Sequence, residues 1–170
     1  PTLSADGQHL YFASNMPGGY GGMDLYVSDL ENGRWGPAFN LGPVVNTEGN
    51  EICPYIDHNN RLYFFSNGHI GLGGLDIFYT TGDGRDKWNL PVNLGFPMNS
   101  NGDDFGITFG GDLTWGYFSS DRDGGAGRDD VYGFQKSASN SMSVKLSSFD
   151  KRLASVLFPE PLVPTINILE

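Results

Sequence analysis

Leu10-Tyr11-Phe12-Ala13-Ser14, followed by Gly21-Gly22-Met23-Asp24-Leu25-Tyr26, is the stretch that decides the fold. It recurs twice. Leu62-Tyr63-Phe64-Phe65-Ser66 precedes Gly73-Gly74-Leu75-Asp76-Ile77-Phe78, and Gly116-Tyr117-Phe118-Ser119-Ser120 precedes Gly127-Arg128-Asp129-Asp130-Val131-Tyr132. Around these blocks, Trp35 matches Trp88, Asn40-Leu41-Gly42 matches Asn93-Leu94-Gly95, Asn46 matches Asn99 and Pro1 matches Pro54. The offsets are 52 to 54 residues throughout. Self-similarity at a fixed period marks a chain of stacked supersecondary units, none of which can bury its apolar surface alone.

Each unit reads as four short strands. In the first, Pro1 to Ser4 is extended and ends at the Asp6-Gly7 turn signal. His9 to Ser14 alternates, with Leu10 and Phe12 on one face and Tyr11 and Ala13 on the other. A Gly-rich loop, Pro17 to Gly22, leads to a second alternating run from Asp24 to Asp29. Asn32-Gly33 is a hairpin signal because both residues tolerate positive φ. Trp35 to Leu41 completes the unit. Strands apolar on both faces are buried on both faces, which predicts sheets stacked against sheets. No helical periodicity of useful length occurs before residue 137.

Four antiparallel strands per repeat of this size predict an all-β chain of β-propeller blades, about three of them, near residues 1–53, 54–106 and 107–136. Closed propellers have about four to eight blades. The expectation is therefore a partial propeller, either a piece of a larger one or a chain whose open ends pair with another molecule. Open ends leave apolar faces and unpaired strand edges.

The pattern resembles the WD40-like, TolB-type propeller repeat. Its longer form here adds Trp35-Gly36 with Asn40-Leu41-Gly42, then Val45-Asn46-Thr47 with Asn50-Glu51. In that form it is similar to repeats of outer-membrane and periplasmic proteins of Gram-negative bacteria. There the propeller often precedes a carboxypeptidase-regulatory-like domain and a peptidoglycan-binding OmpA-type domain. The resemblance covers residues 1–136 and implies a periplasmic or outer-membrane-associated setting, with other envelope proteins and peptidoglycan as partners. The third unit departs from the pattern: it loses one loop glycine, the Trp and the Asn-Leu-Gly.

Composition bounds the rest. The chain has 170 residues, 20 acidic and 10 basic, with a formal charge of −10. Residues 1–136 hold 17 acidic and 7 basic residues and all 25 glycines, while 137–170 balance three against three. Residues 137–170 read as a degenerate last strand, with Ser141 to Phe149 its candidate, or as a linker or tail. An acidic chain with no basic cluster is a poor nucleic-acid or anionic-membrane binder. One Cys excludes an internal disulfide and a Cys-based zinc site. No signal peptide is expected, since Pro1 opens mid-pattern, and no membrane span, since Leu153 to Leu169 contains three prolines and Glu160.

Asp24, Asp76 and Asp130 are the conspicuous carboxylates, with Ser14, Ser66 and Ser120 in the same register. A catalytic site needs one constellation, not one per unit. These residues read as structural Asp–Ser hydrogen-bond pairs tying the long loop to the third strand. Asn46, Asn50, Glu51, Asn99, Asp103 and Asp104 read as polar satisfiers of the inter-unit connections. Trp35 and Trp88 read as packing residues, and Cys53, which stands where the next unit has Gly106, as a small buried thiol. The three His residues, His9, His58 and His69, read as scattered. Asp121, Asp123, Asp129 and Asp130 around Gly124 to Gly127 form the best calcium candidate, although they miss the EF-hand pattern.

No catalytic residue, cofactor or metal is assigned. The leading expectation is a non-enzymatic scaffold that binds through loops differing between units: Met16 to Tyr20, His69 to Leu72 and Arg122 to Ala126. A carbohydrate- or peptidoglycan-binding propeller is the alternative. A fragment of a propeller hydrolase ranks lower, because no Gly-x-Ser-x-Gly elbow occurs and each well-placed acid has an equivalent in another unit.

Overall fold

A computed structural model describes residues 1–85, 87–136 and 147–148. The described residues form no helix. They build three antiparallel sheets of four, five and four strands.

Sheet I runs β1 (Thr2–Leu3), β2 (His9–Ser14), β3 (Asp24–Glu31) and β4 (Arg34–Asn40), in that spatial order. Sheet II contains β5 (Glu51–Ile56), β6 (Arg61–Ser66), β7 (Asp76–Asp83) and β8 (Lys87–Trp88), with β9 (Val92–Asn93) also paired to β7. Sheet III contains β10 (Asp104–Phe109), β11 (Trp115–Ser120), β12 (Asp130–Gln135) and β13 (Ser147–Ser148). Strand positions agree with the sequence reading to within about two residues, the usual play at strand ends. The hairpin at Asn32 and Gly33 has φ of +51° and +75°, as a type I′ turn requires.

The three sheets share one register. Ser14 pairs with Asp24, Ser66 with Asp76 and Ser120 with Asp130. The fourth strand meets the third at Tyr26↔Asn40, Phe78↔Asn93 and Tyr132↔Ser148. The strand expected between Ser141 and Phe149 is thus present at Ser147–Ser148. The remainder of that stretch, and of 137–170, lies outside the described residues.

Alternation along each strand sends one set of side chains forward and the next set to the rear. The forward face of sheet I (Tyr11, Leu25, Val27, Leu41, Val45) packs on the rear face of sheet II (Ile56, Leu62, Phe64, Phe78, Trp88). The forward face of sheet II (Tyr63, Phe65, Ile77, Met98) packs on the rear of sheet III (Ile107, Phe118, Tyr132, Phe134). Sheet II is therefore apolar on both faces, and each side chain fully buried there contributes about 1.5–3 kcal/mol. Burial pushes the Tyr63 hydroxyl up to about 12.

One stacked aromatic pair recurs on every rear face. Phe12–Tyr26, Phe64–Phe78 and Phe118–Tyr132 lie 5.9, 6.0 and 5.7 Å apart, at interplanar angles of 21°, 21° and 25°. These are offset-stacked separations.

Candidate functional site

The strand directions bring two kinds of connection to one end of the molecule. The long loops 15–23, 67–75 and 121–129 leave β2, β6 and β11 there, and the inter-sheet connections 41–50 and 94–103 arrive beside them, since Glu51 opposes Ser66 and Asp104 opposes Ser120.

The recurring Asp anchors each loop. Tyr20 N–H donates to Asp24 Oδ2 at 2.6 Å and Gly21 N–H to Asp24 Oδ1 at 3.1 Å. Leu72 and Gly73 donate to Asp76 Oδ2 at 2.7 and 3.1 Å, and Gly127 to Asp130 Oδ2 at 3.0 Å. Gly19, Gly71 and Gly125, each five residues before the Asp, lie where an added Cβ would overlap that carboxylate, so no larger residue fits the turn. Burial pushes the Asp76 carboxyl up, against the two backbone donors that lower it, and the charges of Asp104 and Asp103 add to the rise.

The expected Asp–Ser pair is not formed. The two residues face each other across the ladder, but the Asp carboxylate turns into the loop. Ser66 donates instead to Glu51 Oε1 at 2.6 Å and accepts Gly68 N–H and His69 N–H. Ser120 accepts from the backbone and the Nε of Arg122. A short hydroxyl has more donors within reach at the start of its own loop than on the opposite strand.

The connection residues satisfy buried backbone, as expected. Asn46 Oδ1 accepts Leu25 N–H at 2.8 Å and its Nδ2 donates to Leu25 O at 3.0 Å and to Asn40 Oδ1 at 2.8 Å. Asn99 does the same with Ile77 and Asn93. Each amide oxygen supplies the acceptor for the Leu25 or Ile77 N–H, while the carbonyl of the same residue also accepts Leu41 or Leu94 N–H. Asn50 and Asp103 accept Met23 N–H and Leu75 N–H, which joins connection to loop.

Glu51 and Asp104 are both fully buried. Glu51 accepts from Thr47 N–H and Oγ1 and from Ser66. Asp104, one methylene shorter, accepts from Ser100 and from Arg122 Nη2 at 2.6 Å. The guanidinium fills the gap between Asp104 and Ser120, donates to Pro97 O and Met98 O of the preceding connection, and lies over the Phe118 and Tyr132 rings. In sheet II, His69 plays the corresponding part: its Nε2 lies 2.8 Å from Val45 O and its ring packs on Phe64 and Phe78.

Several other expectations are corrected. The histidines form no common site, but His9 and His69 each make a specific hydrogen bond, His9 within sheet I and His69 to the connection that follows it. His9 Nδ1 meets Asp29 Oδ1 at 2.7 Å, while Arg85 of sheet II holds Asp29 Oδ2 at 2.6 Å through Nε and stacks 3.8 Å over Phe39. Burial raises the Asp29 carboxyl, but the His9 and Arg85 hydrogen bonds outweigh it and hold the group below its ordinary value. Cys53 is exposed, not buried. It sits in a β-bulge with φ +49°, and Gly106 in the equivalent bulge has φ +69°. That kink turns the Cys side chain out of the sheet. Trp88 packs edge-on against Tyr11, 5.8 Å between centroids at 84°, whereas Trp35 is 42% exposed. The reason is position: Trp88 has sheet I in front of it, and Trp35 points from the rear of sheet I.

The carboxylates expected around the calcium candidate do not converge. Asp130 turns to Gly127, Asp121 accepts Asp103 N–H, and the described residues hold no group of three His, Cys, Asp or Glu able to bind a metal.

The loops expected to bind, Met16 to Tyr20 and His69 to Leu72, do present exposed apolar side chains; what the sequence reading missed is that Val44 and Phe96 of the inter-sheet connections share their end. Tyr20, Leu72, Ile70, Met16, Val44 and Phe96 are exposed, Ile70 at 96% and Phe96 at 80%. All six lie at this one end. Among the described residues, the turns at the opposite end (6–8, 32–33, 58–60, 84–85, 111–114) carry no exposed large apolar side chain. Periodicity could not show this, because which turns share an end depends on strand direction. Compared with known proteins, the chain matches no protein-family model and no curated sequence.

Proposed function

We propose that the three sheets are blades of a β-propeller and that the chain is a non-enzymatic scaffold binding another protein through its loop end. The observation that carries this is the set of exposed apolar side chains at one end, four of them on loops held by the buried carboxylates of Asp24 and Asp76. Tyr20 and Leu72 occupy equivalent loop tips, and each has its own N–H fixed to the Asp anchor. A pre-organised apolar residue loses little entropy on binding, which is how such surfaces gain affinity. The Asp residues act as backbone acceptors in every unit, which supports a structural rather than a catalytic role.

On the family resemblance alone, the proposal extends to a periplasmic or outer-membrane-associated setting, with envelope proteins as partners and peptidoglycan as a secondary one. The test is a comparison of the wild-type chain with a Tyr20→Ser, Ile70→Ser, Leu72→Ser variant, each immobilised and exposed to an envelope extract. Loss of specific capture at unchanged thermal stability supports the reading. Equal capture by both chains overturns it.

A further inference from the structure

The loops and connections at the loop end interlock, and the bonds that join them set apolar and acidic residues in alternation. Gly22 N–H donates to Gly49 O at 2.8 Å, which holds the loop of Tyr20 against the connection that carries Glu48. Asn50 N–H of that connection donates to Asn67 Oδ1 at 2.8 Å, at the start of the loop of Ile70 and Leu72. Leu75 N–H, at the end of that loop, donates to Asp103 Oδ1 at 2.7 Å, and Asp103 N–H donates to Asp121 Oδ1 at 2.6 Å. The order along this end is therefore Tyr20, Glu48, Ile70 with Leu72, then Asp103 with Asp121. Glu48 and Asp121 are exposed and Asp103 is half-buried. Basic residues are segregated from them. Arg34, Arg61, Arg85, Lys87 and Lys136 stand at the opposite end, and Arg122 is covered and paired with Asp104. Among the described residues, Arg128 is the exposed base left at the loop end.

We propose that the partner held at the loop end is a basic polypeptide segment, in which lysine or arginine alternates with large apolar side chains. This partner chemistry rests on the loop-end reading, to which it adds the charge. The apolar side chains define the contact surface, and charge complementarity chooses the occupant. Acidic groups interleaved with apolar ones favour a cationic chain and repel an acidic one. A purely apolar segment would desolvate Glu48, Asp103 and Asp121 without pairing them, which costs free energy. A cation without apolar side chains would leave Ile70, at 96% exposure, and Leu72 in water. The segregation of charge between the two ends also steers a basic chain toward the loops.

The test titrates the full chain with a short synthetic peptide alternating lysine and leucine, beside glutamate–leucine and lysine–serine counterparts. The lysine–leucine peptide is expected to bind, and to bind about tenfold more weakly in high salt. A Glu48→Asn, Asp103→Asn, Asp121→Asn variant is expected to lose about tenfold, as three rim charges do. Each replacement already stands at the equivalent position of the other unit, as Asn101, Asn50 and Asn67. Asn50 accepts Met23 N–H and Asn67 accepts Asn50 N–H, just as Asp103 accepts Leu75 N–H and Asp121 accepts Asp103 N–H, so the loop bonds survive the change. Glu48→Asn alone, at an exposed site, is the second variant should the triple change melt earlier, with an expected loss of about twofold. Equal binding of the glutamate–leucine peptide, equal binding by the neutralised variant, or no binding of the lysine–leucine peptide overturns the inference. If the Tyr20→Ser, Ile70→Ser, Leu72→Ser variant still loses capture from the envelope extract, the loop-end reading stands and only the partner's charge is wrong. Equal binding of the lysine–serine peptide, or undiminished binding of the lysine–leucine peptide by that serine variant, also overturns the inference, since charge then acts without the apolar surface.

Discussion

Arg122 donates to the fully buried carboxylate of Asp104 at 2.6 Å, in the place where sheet II uses a longer acid, Glu51, and the hydroxyl of Ser66. The two solutions are not interchangeable. Glu51 reaches its serine directly, whereas Asp104 needs the guanidinium to bridge to Ser120.

Arg122→Met should therefore be costly, about 3–5 kcal/mol, because it leaves a buried charge unpaired. Asp104→Asn in the same chain should recover a large part of that loss, since the charge goes too. Urea unfolding of both single variants and the double variant measures the coupling. Simple additivity would show that the pair does not interact.

Cys53 sits at φ +49° in a bulge where the equivalent residue is glycine. A side chain in that region costs about 1–2 kcal/mol, part of which glycine returns as unfolded-state entropy. Cys53→Gly should stabilise the protein by about 0.5–1 kcal/mol and raise Tm by about 2–4 °C. The mirror change, Gly106→Cys, should lower it. Calorimetry on both variants decides this, and a lower Tm for Cys53→Gly would refute it.

Asn46 supplies the acceptor for the Leu25 N–H and also donates to the Leu25 carbonyl. Asn46→Leu should cost about 1–3 kcal/mol, because it orphans the Leu25 N–H, while the Leu25 carbonyl keeps Leu41 N–H at 3.0 Å. Asn46→Asp should cost more, because a carboxylate then faces the Leu25 and Asn40 oxygens. Equal losses for the two variants would remove the donor from this account.

Asp29 is held below its ordinary carboxyl value of 3.8 by hydrogen bonds from His9 and Arg85 that outweigh its burial. A carboxyl lowered in the folded state adds stability above its unfolded pKa and loses it as pH falls through the folded value. The stability gap between wild type and Asp29→Asn should therefore shrink as pH falls below about 4. Denaturation midpoints across the acid range measure this, and a gap that widens toward acid would reverse the assignment.

Strand order, the shared register and the anchoring Asp were legible in the sequence. Blocks such as Leu62 to Ser66 and Asp76 to Phe78 alternate at period two, and turn residues such as Asn32-Gly33 bound them. Those are local properties, set by backbone sterics and by hydrogen bonds a few residues apart. The shift from Gly106 to Cys53 and the pairing of a shorter Asp104 with Arg122 were also written in the sequence, but only as differences between units. Their meaning depends on which atoms lie within reach.

The fate of equivalent residues was a different matter. Trp35 and Trp88 are the same residue in the same register, and nothing local separates them, yet one is covered by a neighbouring sheet and the other is not. Ser66 and Ser120, opposite their Asp, find partners on their own loops, and Ser66 also on Glu51 of β5. Six exposed apolar residues from four separate segments lie at one end because antiparallel strands return there. By itself, the sequence determined the units and their internal pairing, through periodicity and turn chemistry. Only the tertiary structure decided burial, exposure and cross-sheet contact, because those depend on what is packed opposite, a property of position in the stack rather than of residue type.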